Sequence, residues 1–462
     1  MIDNIKLANY KSFFADQVKE AIDEQQKINR SQMRNLFKTG ELSLAYVDSI
    51  QHETGMIILK CPRRMAPRLK VLKGVCIIKK GAKQALGEHV TEWICRWDEF
   101  VDNKDFHSSG SDMTPMYYVH TGDSNYDYVA CSGFSFKLYD ILSKALVDGK
   151  SLSLIVHNPF PPVEYFRNLA SYMDAFSSND ELNLEPTIDY EEWTPEELAF
   201  DEQKPTGISD TIIDTLANEH CCIVQGPPGT GKSYTIASVI SSYLDAGKTV
   251  CVTTMANKGL IELIKQKPLQ KYVKEGRVSK TNLSIDERKQ VSGVKAASAD
   301  LQVPGGEMLC ATNYQLSSVF SEKKMTLYGL PQYDLVVIEE ASQAFLTAIV
   351  AFKQLGIDCL IVGDPMQLPP IVKLNNPQYN SWNVATQVEG LKSMVLGTSI
   401  KSYRIVTTFR LTSRSASLTK CFYGNRFVSV KQDYLDFTKA NSVLFPQDGG
   451  VLYHCLLYTS PS

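Results

Sequence analysis

Apolar residues along this chain change their period twice. Over the first 40 residues they recur at every third or fourth position among Lys, Glu and Gln, with Phe13, Phe14, Val18 and Ile22 on the repeat, the pattern of an amphipathic helix. From Leu42 the runs become short and rich in β-branched and aromatic residues: LSLAYVDSI, GMIILKC, LKVLKGVCIIKK and YDYVACSGFSF, separated by Gly, Asp and Pro. Such spacing predicts several strands in a small barrel or sandwich. A helix is expected over Val163–Met173, after the proline-rich stop at Pro159–Pro162. Beyond Pro205, apolar strands (CCIVQ, TVCVTT, DLVVIEE, DCLIVGD) alternate with helical segments, which indicates a parallel sheet covered by helices on both faces. The expected organisation is a helical lead or stalk over 1–41, a β-rich barrel-like accessory domain over 42–158, a helix plus acidic linker over 159–203 and an α/β domain over 204–398.

Charge adds local detail to this outline. The whole chain of 462 residues has a formal net charge of −3, which by itself gives no sign of a nucleic-acid partner. Asp174–Gln203 holds eleven acids and no Lys or Arg, which reads as a solvated linker. Lys265–Lys280 holds six basic residues against one acid, and could attract phosphates or simply form a solvated helix face. The eleven cysteines are scattered without metal-ligand spacing, and several sit in apolar runs, which fits a reducing cytoplasmic compartment. No apolar run has the length of a membrane helix, so a membrane partner is not expected.

The chemistry concentrates in Gly226–Ser233, GPPGTGKS, placed between the strand-like CCIVQ and the amphipathic SYTIASVISSYL. This is the strand–loop–helix setting of a phosphate-binding loop. Gly226, Gly229 and Gly231 let the backbone wrap an anion, with Pro227, Pro228 and Thr230 completing the loop. Lys232 would reach the β- and γ-phosphates and Ser233 would ligate Mg²⁺. Downstream, DLVVIEEASQA (Asp334–Ala344) ends a buried strand in two carboxylates. Glu339 takes the metal-side place where an Asp is usual, and Glu340 is placed to polarise the attacking water. ATP and Mg²⁺ are the expected cofactors.

A third motif, GDPMQLPP (Gly363–Pro370), follows one strand later. Together the three, in this order, resemble a superfamily 1 helicase, specifically the Senataxin-like and nonsense-mediated-decay helicase group. The resemblance covers about Gly226–Phe427. It implies a RecA-like P-loop NTPase sheet for 204–398, a small barrel on a helical stalk before it, and hydrolysis of Mg-ATP coupled to 5′ to 3′ movement on single-stranded RNA or DNA. By resemblance, Gln367 senses the γ-phosphate, while TMANKGLIEL and LCATNYQL nominate Thr254, Asn257 and Thr312 as strand contacts. IVTTFRLTSRSASLTKCFYGNRF resembles the start of a second RecA-like domain over 399–454, with Arg410 as the arginine finger. Thr408 and Leu411 stand where that group has Gln and Met, and its adenine-side glutamine has no counterpart near Ile208 except the displaced Gln203. The closing CLLYTSPS, 455–462, resembles a translated sequencing adapter, so the reading frame is expected to continue past residue 454 with the remainder of the second domain; protein partners are expected through the accessory domain or that missing C-terminal part. Two other functions stay open: a P-loop ATPase switch or remodeller without unwinding, and a degenerate ATP-binding scaffold. RNA and DNA are not distinguished by backbone-contact motifs.

Overall fold

The computed structural model describes residues 4–32, 35, 43–51, 53, 56–62, 71–72, 75–79, 114–119, 125–131, 152–156, 163–283, 285–298, 300–321, 329–372 and 384–431. The adapter-like tail and the end of the expected second domain lie outside them. Helix α1 spans Asn4–Asn29. Its apolar positions Leu7, Tyr10, Phe13 and Phe14 are buried. They are packed in one cluster with Tyr165, Leu169, Tyr172 and Met173 of helix α2 (Glu164–Ala175). Phe13 and Phe14 meet Phe345 edge-on, with centroids 5.8 and 5.5 Å apart. The helix expected as a stalk is therefore part of the hydrophobic core of the α/β domain.

Seven strands follow: β1 (Ser43–Gln51), β2 (Met56–Pro62), β3 (Val71–Leu72), β4 (Val75–Lys79), β5 (Thr114–Val119), β6 (Tyr126–Cys131) and β7 (Leu152–Val156). They pair antiparallel in the order β3-β5-β6-β2-β1-β7-β4. A flat sheet of this size would hold its edges about 29 Å apart. Yet the edge strands β3 and β4 are joined by a three-residue step that reaches at most about 11 Å. The sheet therefore curls enough to bring neighbouring ends of its two edge strands within that reach. Strands β5 and β7 had not been singled out from the residue pattern.

The second sheet contains β8 (Glu196–Leu198), β9 (Cys221–Gln225), β10 (Val250–Thr254), β11 (Val278–Lys280), β12 (Lys295–Ala296), β13 (Met308–Thr312), β14 (Tyr333–Ile338), β15 (Gly356–Gly363) and β16 (Ser402–Ile405). All its pairs are parallel, in the order β12-β11-β13-β10-β14-β15-β9-β16-β8. Strands β9, β10 and β13 are buried along their whole length, because helices cover both faces. Cys222 and Val224 point to the face carrying helix α3 (Lys232–Asp245) and helix α4 (Asn257–Ile264). Cys221 and Ile223 point to the other face, where helix α5 (Leu346–Lys353) packs. This is the parallel α/β sheet of a RecA-like P-loop domain.

Its limits differ from the expected 204 and 398, because β8 and β16 lie outside those numbers and close one side of the same sheet. The solvated-linker reading of Asp174–Gln203 is corrected in the same way. Leu182 and Trp193 are buried, Thr187 donates from its backbone N–H and its hydroxyl to the Leu396 carbonyl at 2.9 and 3.0 Å, and Glu181 pairs with Lys353 at 2.6 Å. The carboxylates mostly face outward while the apolar residues between them pin the segment down. Past the sheet, β17 (Thr407–Thr412) and β18 (Val428–Lys431) form a separate parallel pair, joined through two short helices. Among the described residues no helix is long and apolar enough to cross a membrane.

Candidate nucleotide and strand site

The loop from β9 to α3 is shaped by its glycines. Gly229 and Gly231 both have φ of +78°, which an L side chain adopts only with strain. At Gly226 the obstacle is steric, since a Cβ there would lie 2.2 Å from Cγ and Cδ of Lys232. The Thr230 hydroxyl donates to the Pro227 carbonyl at 2.9 Å, and the Gly226 N–H donates to Gly363 at 3.0 Å, fastening the loop to the end of β15. The Lys232 ammonium curls back across the loop onto the Gly226 carbonyl. Burial lowers the pKa of its amine, against the opposing pull of Asp364, Glu339 and Glu340.

Strand β14 delivers the two carboxylates. The Glu339 N–H donates to the Thr253 carbonyl at 2.8 Å, which extends the strand pairing by one residue. The Ser233 hydroxyl donates to Glu339 Oε1 at 3.3 Å, while Glu339 Oε2 is buried with no hydrogen-bond partner. Burial and the neighbouring Glu340 raise the Glu339 pKa to about 7, with Ser233 and Lys232 acting against them. An ionised carboxylate with one orphaned oxygen beside a serine hydroxyl is a donor set that fits Mg²⁺, a cation satisfied by oxygen ligands. Glu340 has φ of +53° and ψ of +39°. For a non-glycine residue this costs on the order of 1–3 kcal/mol.

Thr254, expected on the strand track, is fully buried, and its hydroxyl donates to Glu340 Oε2 at 3.3 Å. Its place is behind the carboxylate rather than along a strand. Thr312 is also buried, and its hydroxyl accepts the Gln315 N–H at 3.4 Å as a helix N-cap. Of the three expected track residues only Asn257 is exposed, at the first position of α4. In the basic run, Lys265, Lys267, Lys271 and Lys274 are exposed, as a solvated face requires, with Lys271 paired to Asp245 at 2.7 Å and Lys265 to Glu262 at 3.2 Å. Lys280 is buried, and Arg277 donates to the Gly306 and Leu244 carbonyls.

Arg410 reaches the same place from β17. The Phe409 N–H donates to the Gly229 carbonyl at 2.8 Å, and the Thr408 hydroxyl donates to the Pro228 carbonyl at 3.1 Å. Thr408 Oγ1 also stands 3.3 and 3.4 Å from the backbone N–H groups of Arg410 and Leu411, which it can receive. The departure at position 408 thus supplies a clamp on the phosphate loop. A Cβ at Gly229 would lie 2.2 Å from the Arg410 Cβ, so the fit needs glycine. The Arg410 charge acts on Lys232, lowering its pKa. Phe409 packs edge-on to Phe200, 5.1 Å between centroids. Gln203 is exposed, and its backbone N–H donates to Asp201 Oδ1 at 2.8 Å.

Several functional groups had no signal of their own in the residue pattern. Asp364 is buried, accepting from Gln225 Nε2 at 3.0 Å, the Tyr423 hydroxyl at 2.9 Å and Gln367 Nε2 at 3.4 Å. Gln225 in turn donates to the Tyr190 hydroxyl at 3.1 Å and accepts from Arg404 Nε at 2.6 Å. Burial raises the Tyr423 and Tyr190 pKa values; Asp364 reinforces the first, while the hydrogen bond from Gln225 opposes the second. The exposed Gln367 is thereby wired to the end of the phosphate-loop strand. Asp364 lay within the third motif, but Gln225, Arg404, Tyr190 and Tyr423 are identified only by their convergence in space.

Comparison with known proteins gives matches over this domain. Residues 209–373 match the family described as AAA domain. The chain is similar to "DNA replication ATP-dependent helicase/nuclease dna2" of Schizosaccharomyces pombe, 29% identical over 245 residues covering 49% of this chain and 16% of that protein. It is also similar to the protein of the same description from Saccharomyces cerevisiae, 26% identical over 207 residues covering 42% of this chain and 12% of that one. Among solved structures, an arterivirus nonstructural protein 10 (helicase) superposes with a TM-score of 0.28 at 15% identity, covering 47% of this chain and 43% of that chain. The chain thus spans a small part of the length of the curated relatives it matches.

Proposed function

We propose that this chain carries the ATP-hydrolysing half of a superfamily 1 helicase, coupling Mg-ATP turnover to 5′ to 3′ movement along a single strand. The observation that carries the reading is the convergence of Lys232, Ser233, Glu339, Glu340 and Arg410 around one loop, from three separate segments. Lys232 and the loop N–H groups hold the phosphates. Ser233 and Glu339 would hold Mg²⁺, which when bound neutralises phosphate charge. Glu340 orients the attacking water, and Arg410 stabilises charge on the γ-phosphoryl group. Gln367 reports the γ-phosphate through Asp364.

The relatives are described as DNA replication enzymes, which favours DNA over RNA as the track and moves the reading away from the nonsense-mediated-decay group. By resemblance to the helicase group, segment 399–454 would begin a second RecA-like domain, and the free thiols among the described residues fit a reducing compartment such as the cytoplasm. The test measures ATP hydrolysis with no strand, with single-stranded DNA and with RNA of the same length. Stimulation by DNA that Lys232→Ala abolishes supports the reading. Turnover indifferent to any strand would favour a switch or remodeller, and nucleotide binding without turnover a scaffold.

A further inference from the structure

We infer that Lys280 is a positioning residue that holds the Asn257 amide with its NH₂ group turned outward, toward a phosphate oxygen of a bound single strand. The inference rests on the strand-binding reading above. Lys280 ends β11, and its side chain is 0% exposed. Burying an ammonium carries a large desolvation cost unless every donor is matched. Here Nζ donates to Asn257 Oδ1 at 2.7 Å, to the Thr281 carbonyl at 3.1 Å and to Glu287 Oε2 at 3.3 Å. Three donors meet three acceptors.

Two of those acceptors lie within β11's own continuation and the next helix, and would satisfy a structural role. The third is the side chain of an exposed residue at the start of a different helix. An ammonium has donors only, so it can face the oxygen of a carboxamide and never its nitrogen. An unrestrained Asn presents oxygen or nitrogen with nearly the same shape. Lys280 removes that choice, and the free end of Asn257 becomes a hydrogen-bond donor. A donor suits the acceptor oxygens of a phosphodiester, the contact that positions a strand without reading its bases. Glu287 balances the Lys280 charge, so orientation, rather than field, is what the pair contributes.

The experiment measures affinity for a fluorescein-labelled oligodeoxythymidine by anisotropy, using the full chain. Three forms are compared with the unaltered one: Asn257→Ala, the charge-balanced pair Lys280→Met with Glu287→Gln, and all three changes together. Loss of one charge-assisted hydrogen bond weakens binding roughly tenfold. Each of the first two should show that loss, and the combination no more than either alone. Asn257→Asp keeps an acceptor for Lys280, so it should melt no lower than the unaltered chain and still bind the strand at least tenfold more weakly. Unchanged affinity in the Lys280/Glu287 form, additive losses, or full binding by Asn257→Asp would overturn the inference while leaving the strand reading in place. Unchanged affinity in Asn257→Ala would likewise overturn the inference alone, whereas no strand binding by the unaltered chain would overturn both.

Discussion

Glu339 holds a proton in the folded chain up to about pH 7, because burial and Glu340 oppose its ionisation. In the unfolded chain the same carboxyl releases it near 4.5. Between those values the folded state binds the extra proton, so its stability falls as pH rises through the interval. At pH 8 the full penalty, roughly 3 kcal/mol from a shift of this size, is present; below pH 4 it is absent. Glu339→Gln should therefore raise the melting temperature at pH 8, and the gain should shrink as pH falls and vanish by about pH 4; a gain independent of pH would contradict it. Mg²⁺ needs the ionised carboxylate, so the same substitution should remove metal-dependent stabilisation by ATP. Lys232→Ala deletes a buried amine that donates to the loop's own Gly226 carbonyl, and is expected to leave folding intact while weakening ATP binding at least a hundredfold in a fluorescent-nucleotide titration. Thr254→Val retains the shape of a buried side chain but leaves Glu340 without its donor. Its expected signature is a kcat about fivefold lower at unchanged KM for ATP, the equivalent of about 1 kcal/mol.

Among the elements, the acidic segment 174–203 shows how charge can hide a packed strap. Trp193 is buried against Tyr190 and lies under the Arg404 guanidinium at 5.5 Å, next to the Gln225–Asp364 network. Trp193→Ala should lower stability by about 3 kcal/mol in urea unfolding, a cost that a solvated linker would not incur. The phosphate loop is the opposite case. Its strand, turn and helix are contiguous in sequence, so its glycines and lysine were legible without any knowledge of neighbours. The arginine segment was legible by motif, but the work of Thr408 was not, since its partner Pro228 lies 180 residues away.

Over the whole molecule, the first helix and the parallel sheet share one core through Phe13, Phe14, Tyr165 and Phe345. They should unfold together. Phe14→Ala is expected to lower by about 3–5 kcal/mol the same unfolding transition that ATP stabilises, and a separate, ATP-insensitive transition would contradict a shared core. Periodicity identified the helix, most of the antiparallel strands and the alternating parallel domain, because burial on one face imposes a repeat on the residues themselves. It could not place β8 beside β16, since three residues of edge strand carry no repeat of their own.

The sequence alone determined the phosphate loop, the paired carboxylates and the RecA-like alternation, each encoded by residues adjacent along the chain. The tertiary structure decided which polar groups face outward. Thr254 and Thr312 turned inward and Lys280 was buried, while Asn257 stayed exposed. Exposure and partnership depend on what folds over a residue from far along the chain, and no local pattern carries that information.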